Sequence, residues 1–280
     1  MDRPRDTGAV RARIRAHPVT GAPEAMRQAF ERLAGDQPEA AEDEIGGRPV
    51  LVLGDGPTVL FLHGGGYVFG SPRSHLMPAS ALAARGLRVV LPRYRLAPEH
   101  VWPAQLEDAL AVLGALEGPV AIAGISAGGH LALNAALARP GRLFAAALLS
   151  PNTDRTGFSR TRARNTAQDA MNSDEDDRRL GDMALGHLPD DDPAVSPVLA
   201  DLGGLPPLRI GAWHREVLLD DALLLARAAG LAGVETALDV REGPFHMAEL
   251  WPDAIPEAAD HLAATGDWLA AQAARASMRG

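Results

Sequence analysis

Short apolar runs alternate with stretches of helical periodicity along most of the chain. The apolar runs predict strands at 49–54, 57–63, 87–95, 119–124, 143–150, 208–214 and 234–242. Apolar residues at spacings of three and four predict helices over 20–35, 75–86, 103–116, 127–139, 218–230 and 256–274. Strands that alternate with helices predict an α/β fold with a mainly parallel sheet covered on both faces.

Two regions depart from this alternation. The first two strands are separated by Asp55–Gly56, a turn dipeptide that predicts a hairpin rather than a crossover. Residues 151–197 show no strand pattern, and a structureless loop of that length is unusual in a compact domain. A linker to a second domain is one interpretation. Because the alternation resumes at residue 208, an insertion of short helices is favoured.

Composition narrows the classes of function. The chain has 280 residues, enough for one large α/β domain or two small ones, and a net charge of −9, which argues against a nucleic-acid partner. It has no cysteine, which excludes disulfides and thiolate catalysis. The first ten residues lack an apolar signal core, and no apolar run reaches the roughly 20 residues that span a bilayer. We therefore expect a cytoplasmic protein without a membrane partner.

A single serine stands between a predicted strand and a predicted helix, in "VAIAGISAGGHLAL" (120–133). The order strand, G-x-S-x-G, helix is the pattern of a nucleophile elbow, in which the serine occupies a sharp, strained turn. Gly124 and Gly128 would omit the β-carbons that collide there. The hydroxyl of Ser126 would then project from the carboxyl edge of the sheet, and the next amide, at Ala127, would begin a helix.

A glycine-rich loop, "FLHGGGYVFGS" (61–71), follows another predicted strand. Its main-chain N–H groups could bind negative charge. We expect Gly65 and Gly66, together with Ala127, to form an oxyanion hole. A phosphate-binding loop is the alternative, but no Lys-Ser/Thr follows and the G-x-G-x-x-G spacing is missing. His63 is expected to brace the loop rather than to act as a base.

A serine nucleophile needs a base, and in elbow enzymes the acid and then the histidine follow the serine along the chain. His246 is favoured because it lies in a loop directly after a predicted strand, whereas His214, which comes before the best acids, is the weaker candidate. The other downstream histidines lie within helices or in the insertion: His130, His187 and His261.

The acid is expected just beyond the strand 208–214. Glu216 lies closest to the strand end and is the favoured residue. Asp220 and Asp221 are weaker candidates, because carboxylates in the first turn of a helix are already explained by the helix dipole.

Four segments together resemble the hormone-sensitive-lipase-like branch (bacterial family IV) of the α/β-hydrolases: "HGGGYVFGS", "YRLAPEH", "GISAGGHLAL" and "DPAVSPVLADLGGLPPLRI" running into "REVLLDD". The resemblance implies a carboxylic-ester hydrolase that works through an acyl-enzyme on small to medium acyl esters, with Glu216 at the acid position. Ile125 stands where the family often has an acidic residue, and "GPFH" replaces the usual Gly-Met-x-His.

The resemblance also divides the chain. It implies a helical cap made of residues 1–43 and an insertion at 151–197, over a core made of residues 44–150 and 198–280. The "YRLAPEH" segment is interpreted as structural, with Glu99 pairing with Arg95, and the acidic runs 174–177 and 190–192 as solvated.

The substrate and partners are less closely defined. Apolar residues near the motifs are the candidate pocket wall, with Phe158 and Met171 in the insertion also considered: Tyr67, Val68, Ile125, Met247 and Trp251. No metal or cofactor is expected, the partner is a small-molecule ester, and a homodimer through an edge strand such as 234–242 is possible. The alternatives are a lactone hydrolase, acyltransferase or cyclase on the same scaffold, or a catalytically silent binding protein.

Overall fold

A mixed sheet of eight strands runs through the molecule. The computed structural model describes residues 3–278. The strands are β1 Ala41–Ile45, β2 Arg48–Leu53, β3 Thr58–Leu62, β4 Arg88–Pro92, β5 Val120–Ile125, β6 Leu143–Leu149, β7 Leu208–Trp213 and β8 Thr236–Arg241. Their order across the sheet is β1-β2-β4-β3-β5-β6-β7-β8. β1 and β2 are antiparallel to each other, β2 is antiparallel to β4, and β3 to β8 are parallel.

Helices pack against this sheet and against one another. They are α1 Thr7–Ala16, α2 Pro23–Ala34, α3 Leu76–Ala83, α4 Ala104–Ala115, α5 Ala127–Ala138, α6 Thr161–Asn165, α7 Asp174–Leu185, α8 Leu219–Leu231 and α9 Pro256–Ser277. α3 packs on α9, α4 packs on α5, and α8 contacts β7 and β8. All residues of β5 are buried, as expected for a central parallel strand covered on both faces. The predicted α/β fold with a mainly parallel sheet is confirmed.

The predicted hairpin between the first two apolar runs is wrong. β2 pairs with β4, and β3 lies on the other side of β4, between it and β5. The hairpin instead joins β1 to β2 through Gly46 and Gly47, which both have positive φ. Two successive residues of positive φ match the backbone twist of a two-residue hairpin. The dipeptide that predicts the hairpin is therefore Gly46–Gly47 and not Asp55–Gly56.

β1 was not predicted because it lacks an apolar pattern. Its sequence is AEDEI, and its first four residues are exposed at the edge of the sheet. The sheet therefore begins at Ala41, inside the segment 1–43 that was interpreted as part of the cap. No helix within residues 3–278 combines the length and the apolar composition that crossing a membrane requires.

Two segments outside the strand and helix alternation lie next to the carboxyl ends of the strands. The first contains α1 and α2, and α1 reaches the loop after β8, where Arg11 donates to the carbonyl of Pro244 at 2.7 Å. The second is residues 151–197, which contain α6 and α7 and no strand. We call this second segment the insertion.

Candidate active site

Ser126 lies at the sharp turn between β5 and α5. Its backbone has φ 58° and ψ −123°, a strained conformation for a residue with a side chain. A β-carbon at Gly124 would lie 2.1 Å from the carbonyl oxygen of Gly128, and one at Gly128 would lie 2.1 Å from that of Leu62. Both glycines are therefore required by close backbone approach, which explains the spacing G-x-S-x-G.

Three side chains distant in sequence form one hydrogen-bonded chain. His246 Nε2 lies 2.8 Å from Ser126 Oγ, and His246 Nδ1 lies 2.8 Å from Glu216 Oε2. The second carboxylate oxygen of Glu216 accepts the main-chain N–H of Trp213 at 2.9 Å. All three side chains are buried. The carboxylate thus holds the ring so that Nδ1 carries the proton and Nε2 accepts from the serine hydroxyl.

The sheet brings these residues together. Ser126 follows β5, Glu216 follows β7 and His246 follows β8, and the three strands are parallel. Carboxyl ends of parallel strands lie along one edge of a sheet, where ligands of open α/β folds bind.

Burial and charge shift the titration of the acid and the base. Burial raises the pKa of the Glu216 carboxyl, although the hydrogen bond and charge of His246 oppose that effect. Burial alone would lower the pKa of His246. The hydrogen bond and charge of the Glu216 carboxylate, together with the charges of Asp169 and Asp177, outweigh it and raise the pKa above the ordinary value of 6.5. The imidazole is therefore a stronger base than a free histidine.

The glycine-rich loop presents free amides near the serine. Gly65 has φ 118°, and a β-carbon there would lie 2.1 Å from the carbonyl oxygen of Phe69. Within residues 3–278, the amides of Gly65 and Gly66 donate to no acceptor. Gly66 and Ala127 both contribute to the wall of one small cavity of about 20 Å³, whereas Gly65 does not.

A buried group of rings holds this loop. His63 stacks on Tyr94 with ring centroids 4.0 Å apart, and the Tyr94 hydroxyl donates to the His63 carbonyl oxygen at 2.7 Å. His75 Nε2 accepts the Gly64 N–H at 3.0 Å. Burial lowers the pKa of His63 to about 4, so its ring is neutral at physiological pH. His63 therefore braces the loop and does not reach Ser126.

The weaker candidates for acid and base bond elsewhere. Asp220 accepts the Arg160 N–H at 2.8 Å, and Asp221 is paired with Arg162 at 2.8 Å. His214 is exposed and lies 3.1 Å from Glu242.

The remaining downstream histidines have structural or solvent-facing positions. His130 is buried with Nδ1 2.6 Å from the Tyr67 hydroxyl, and His261 is buried with Nδ1 2.9 Å from Glu249. His187 is exposed in the insertion.

The candidate pocket residues differ in their surroundings. Tyr67 contributes to the small cavity beside Ala127. Val68, Ile125 and Trp251 are completely buried, and Met247 packs against Gly64. In the insertion, Phe158 is 65% exposed, which does not suit a pocket wall. Met171 contributes to a second cavity of about 310 Å³, between the N-terminal helices and the insertion.

The expected ion pair between Glu99 and Arg95 is wrong. Glu99 pairs with Arg27 of α2 at 2.5 Å rather than with Arg95, because Arg95 is held by Asp108 and Glu107 of α4. The "YRLAPEH" segment thereby links α2 to the core.

The run 174–177 is not wholly solvated either. Asp177 is buried and lies 2.5 Å from Arg162, which also binds Asp221 at 2.8 Å. The pairing of Asp177 and Asp221 through one buried arginine was not predicted, because sequence charge alone does not show burial.

Residues of the insertion that touch the acid and histidine loops were also missed. Asp169 accepts the main-chain N–H groups of Val217 and His246, and Asn165 donates to the carbonyl oxygen of Glu216. No motif marks them. The only available signal was the need for partners of the main chain next to a predicted site.

Comparison with known proteins places the chain in a family. The α/β hydrolase fold family matches residues 59–250. The chain is 34% identical over 263 residues to an acetyl-hydrolase of Streptomyces hygroscopicus, covering 85% of this chain and 88% of that one. An esterase from the bacterial hormone-sensitive lipase family has a crystal structure with TM-score 0.88 and 31% identity, covering 95% of this chain and 97% of that one. The protein belongs to the hormone-sensitive-lipase-like esterase family.

Membership of this family confirms the resemblance inferred from the four segments. A further relative is the carboxylesterase NlhH of Mycobacterium tuberculosis, 32% identical over 247 residues and covering 80% of this chain and 75% of that one. The chain is thus similar to esterases over most of its length.

Proposed function

We propose that the protein hydrolyses carboxylic esters with small to medium acyl groups through a covalent acyl-enzyme. The observation that carries this proposal is the continuous hydrogen-bonded chain from Ser126 through His246 to Glu216. An alcohol, a base and a buried carboxylate in this order can generate a nucleophile near neutral pH. Residues 3–278 bring no three His, Asp or Glu side chains together as a metal site, and the absence of a cofactor stays a prediction.

In the first half of the reaction, Ser126 Oγ bonds to the ester carbonyl carbon while His246 Nε2 takes the hydroxyl proton. The carbonyl electron pair moves to oxygen, and the amides of Gly65, Gly66 and Ala127 bind that oxyanion. The intermediate collapses when the carbon–oxygen bond to the alcohol breaks and the alcohol receives the proton from His246. Glu216 stabilises the imidazolium that exists between these two transfers.

In the second half, water replaces the alcohol. His246 takes a proton from water as the oxygen attacks the acyl carbon, and the same amides bind the second oxyanion. Breaking the acyl bond to Ser126 Oγ returns the proton to the serine and releases the carboxylic acid. In this scheme the strained backbone at Ser126 keeps the hydroxyl clear of the sheet for both attacks.

The space beside Ala127, the residue after the serine, supports small acyl groups. The cavity whose wall includes Gly66, Tyr67 and Ala127 has a volume of about 20 Å³. That is about the room one water molecule needs, and an acetyl methyl group is of similar size. Longer chains would have to displace Leu185 or other residues of α7, which also contributes to this wall. The similarity to an acetyl-hydrolase agrees with a short acyl group.

A series of p-nitrophenyl esters with two, four and eight acyl carbons tests this function. We expect turnover of the acetyl and butyryl esters and a steep fall at eight carbons. Ser126→Ala should lower kcat by at least about 1000-fold without changing the fold, as for loss of a nucleophile in other serine hydrolases. Ser277→Ala, at an exposed serine of α9, is the control and should match the wild type. Undiminished activity in Ser126→Ala would refute the proposal.

Water as acceptor, rather than an alcohol or amine, is part of the proposal. Supplying methanol or an amine during turnover and measuring free acid against transfer product separates hydrolysis from acyl transfer. Location in the cytoplasm stays a prediction. So does a homodimer through β8, which lies at the edge of the sheet with Leu238 partly exposed; light scattering in solution measures that state.

A further inference from the structure

One carboxylate of the insertion binds the main chain of both loops that carry the acid and the base. Asp169 Oδ2 accepts the N–H of Val217, the residue after Glu216, at 3.0 Å. Asp169 Oδ1 accepts the N–H of His246 itself at 3.1 Å. The same oxygen also accepts the N–H groups of Met171 and Asn172, at 3.0 and 3.3 Å. The side chain of Asp169 is thus held within its own turn and also binds the loop of Glu216 and the loop of His246.

A second residue of the same turn acts on the acid loop. Asn165 Nδ2 donates to the carbonyl oxygen of Glu216 at 2.9 Å and to that of His214 at 3.2 Å. The N–H of Asp169 in turn donates to the carbonyl oxygen of Asn165 at 2.9 Å. The acid loop is therefore held on both sides of Glu216, while the histidine loop receives its bond from Asp169.

We propose that Asp169 is a positioning residue of the reaction. Its carboxylate sets the distance between the loops of Glu216 and His246, and its negative charge stabilises the imidazolium formed during each proton transfer. This inference rests on the proposed function. It extends the proposed function, because it assigns the insertion a role in catalysis in addition to covering the substrate.

The charges around the imidazole agree with this role. Glu216 from the acid loop, and Asp169 and Asp177 from the insertion, all act to raise the pKa of His246 against the effect of burial. Arg11 of α1 lies over the neighbouring Phe245 ring, 5.4 Å from its centroid.

Opposing effects act on the carboxyl group of Asp169. Burial is the largest of them and raises its pKa above the ordinary value, although the charge of His246 and the N–H donors act in the opposite direction. Its two oxygens receive four N–H donors, so the carboxylate is well solvated by the main chain. On the cavity side, the charged and titratable residues are Arg15, His17, Asp176 and Arg179.

The test is Asp169→Asn, measured with p-nitrophenyl acetate. An amide at this position keeps the volume but places an NH₂ group against one of the two loop N–H groups. We expect kcat to fall by about 10- to 100-fold with KM within about twofold, because a small misplacement of reacting groups is costly. Loss of the negative charge should also move the acid limb of the kcat/KM profile to lower pH by roughly half a unit or more.

Two matched controls separate positioning from folding. Asp154→Asn removes a buried carboxylate of the insertion that accepts the N–H groups of Thr156 and Ser159 and the hydroxyl of Thr156, away from the triad. Asp191→Asn removes an exposed charge of the same insertion. We expect both to leave the acid limb in place, whatever they do to the melting temperature. Asp169→Glu keeps the charge and should keep the acid limb near that of the wild type with a reduced kcat.

Each outcome decides the proposal. A folded Asp169→Asn protein with kcat within twofold of the wild type and an unmoved acid limb overturns it. If that variant fails to fold, Asp169→Glu decides: full activity overturns the proposal, and a lowered kcat with an unmoved limb supports it. A wild type that neither turns over esters nor reacts at Ser126 overturns the proposed function as well, so the two failures are distinct.

Discussion

Replacing Glu216 by glutamine should remove the charge that stabilises the protonated base. The carboxylate lies 2.8 Å from His246 Nδ1, which places the centres of the two charges about 4 Å apart. At an effective dielectric constant of about 20, that attraction is about 4 kcal/mol. Since about 1.4 kcal/mol corresponds to tenfold in rate, we expect Glu216→Gln to lower kcat by about 1000-fold.

The pH profile gives a second, independent readout of the same change. In the wild type, kcat/KM should fall as pH decreases through the pKa of His246, which lies above 6.5 because the Glu216 carboxylate raises it. Without that carboxylate the pKa of His246 falls, so the acid limb should move to lower pH. Steady-state hydrolysis of p-nitrophenyl acetate from pH 5 to 9 measures both effects, and the melting temperature reports on folding.

The chain offers a matched control at its surface. Glu242 lies 3.1 Å from the Nδ1 atom of His214, but both side chains are exposed. Glu242→Gln removes the same kind of partner in water and should change kcat by less than twofold, since exposed ion pairs contribute little. A Glu216→Gln protein that folds and loses less than tenfold in kcat would refute the reasoning about the buried carboxylate.

Two further predictions concern stability, and thermal or urea unfolding measures both. Gly128→Ala places a β-carbon 2.1 Å from the Leu62 carbonyl oxygen and should lower the free energy of unfolding by about 3 kcal/mol or more. Gly141→Ala is the control and should leave that free energy nearly unchanged, because a β-carbon at this position meets no atom of the described residues within 4 Å. Arg162→Met leaves two buried carboxylates without their ion-pair partner and should lower the free energy of unfolding by about 3 to 5 kcal/mol. Arg178→Met, at an exposed ion pair, should lower it by less than about 0.5 kcal/mol. Equal stability within either pair of variants would contradict the corresponding explanation.

The parts of the site that follow strand ends were accessible from the sequence. The elbow around Ser126 is local, because strand, glycine, serine, glycine and helix follow one another within a few residues. Glu216 and His246 could be placed beside Ser126 because parallel strands align their carboxyl ends, so a polar residue just after such a strand lies at the same edge. The sequence was sufficient where position along a strand determines position in space.

The parts that depend on long-range contacts were not accessible. Asp169 lies 77 residues from His246 and belongs to a polar segment with no periodic pattern. The sequence predicts a solvated charge at Asp177, and only the fold shows that Asp177 is buried together with Arg162. The hairpin was misplaced because both Asp55–Gly56 and Gly46–Gly47 are turn dipeptides, and the sequence does not show which of them joins two paired strands. Pairing is determined by the order of the strands in the sheet.

Reaction with an alkyl fluorophosphonate, followed by peptide mass spectrometry, tests most directly whether the elbow serine is the nucleophile. We expect one adduct per chain, located on Ser126, formed much more slowly in Glu216→Gln and suppressed by an ester that competes for the site. An adduct on another residue, or no adduct on the folded protein at a probe concentration that labels other serine esterases, would contradict the proposed triad.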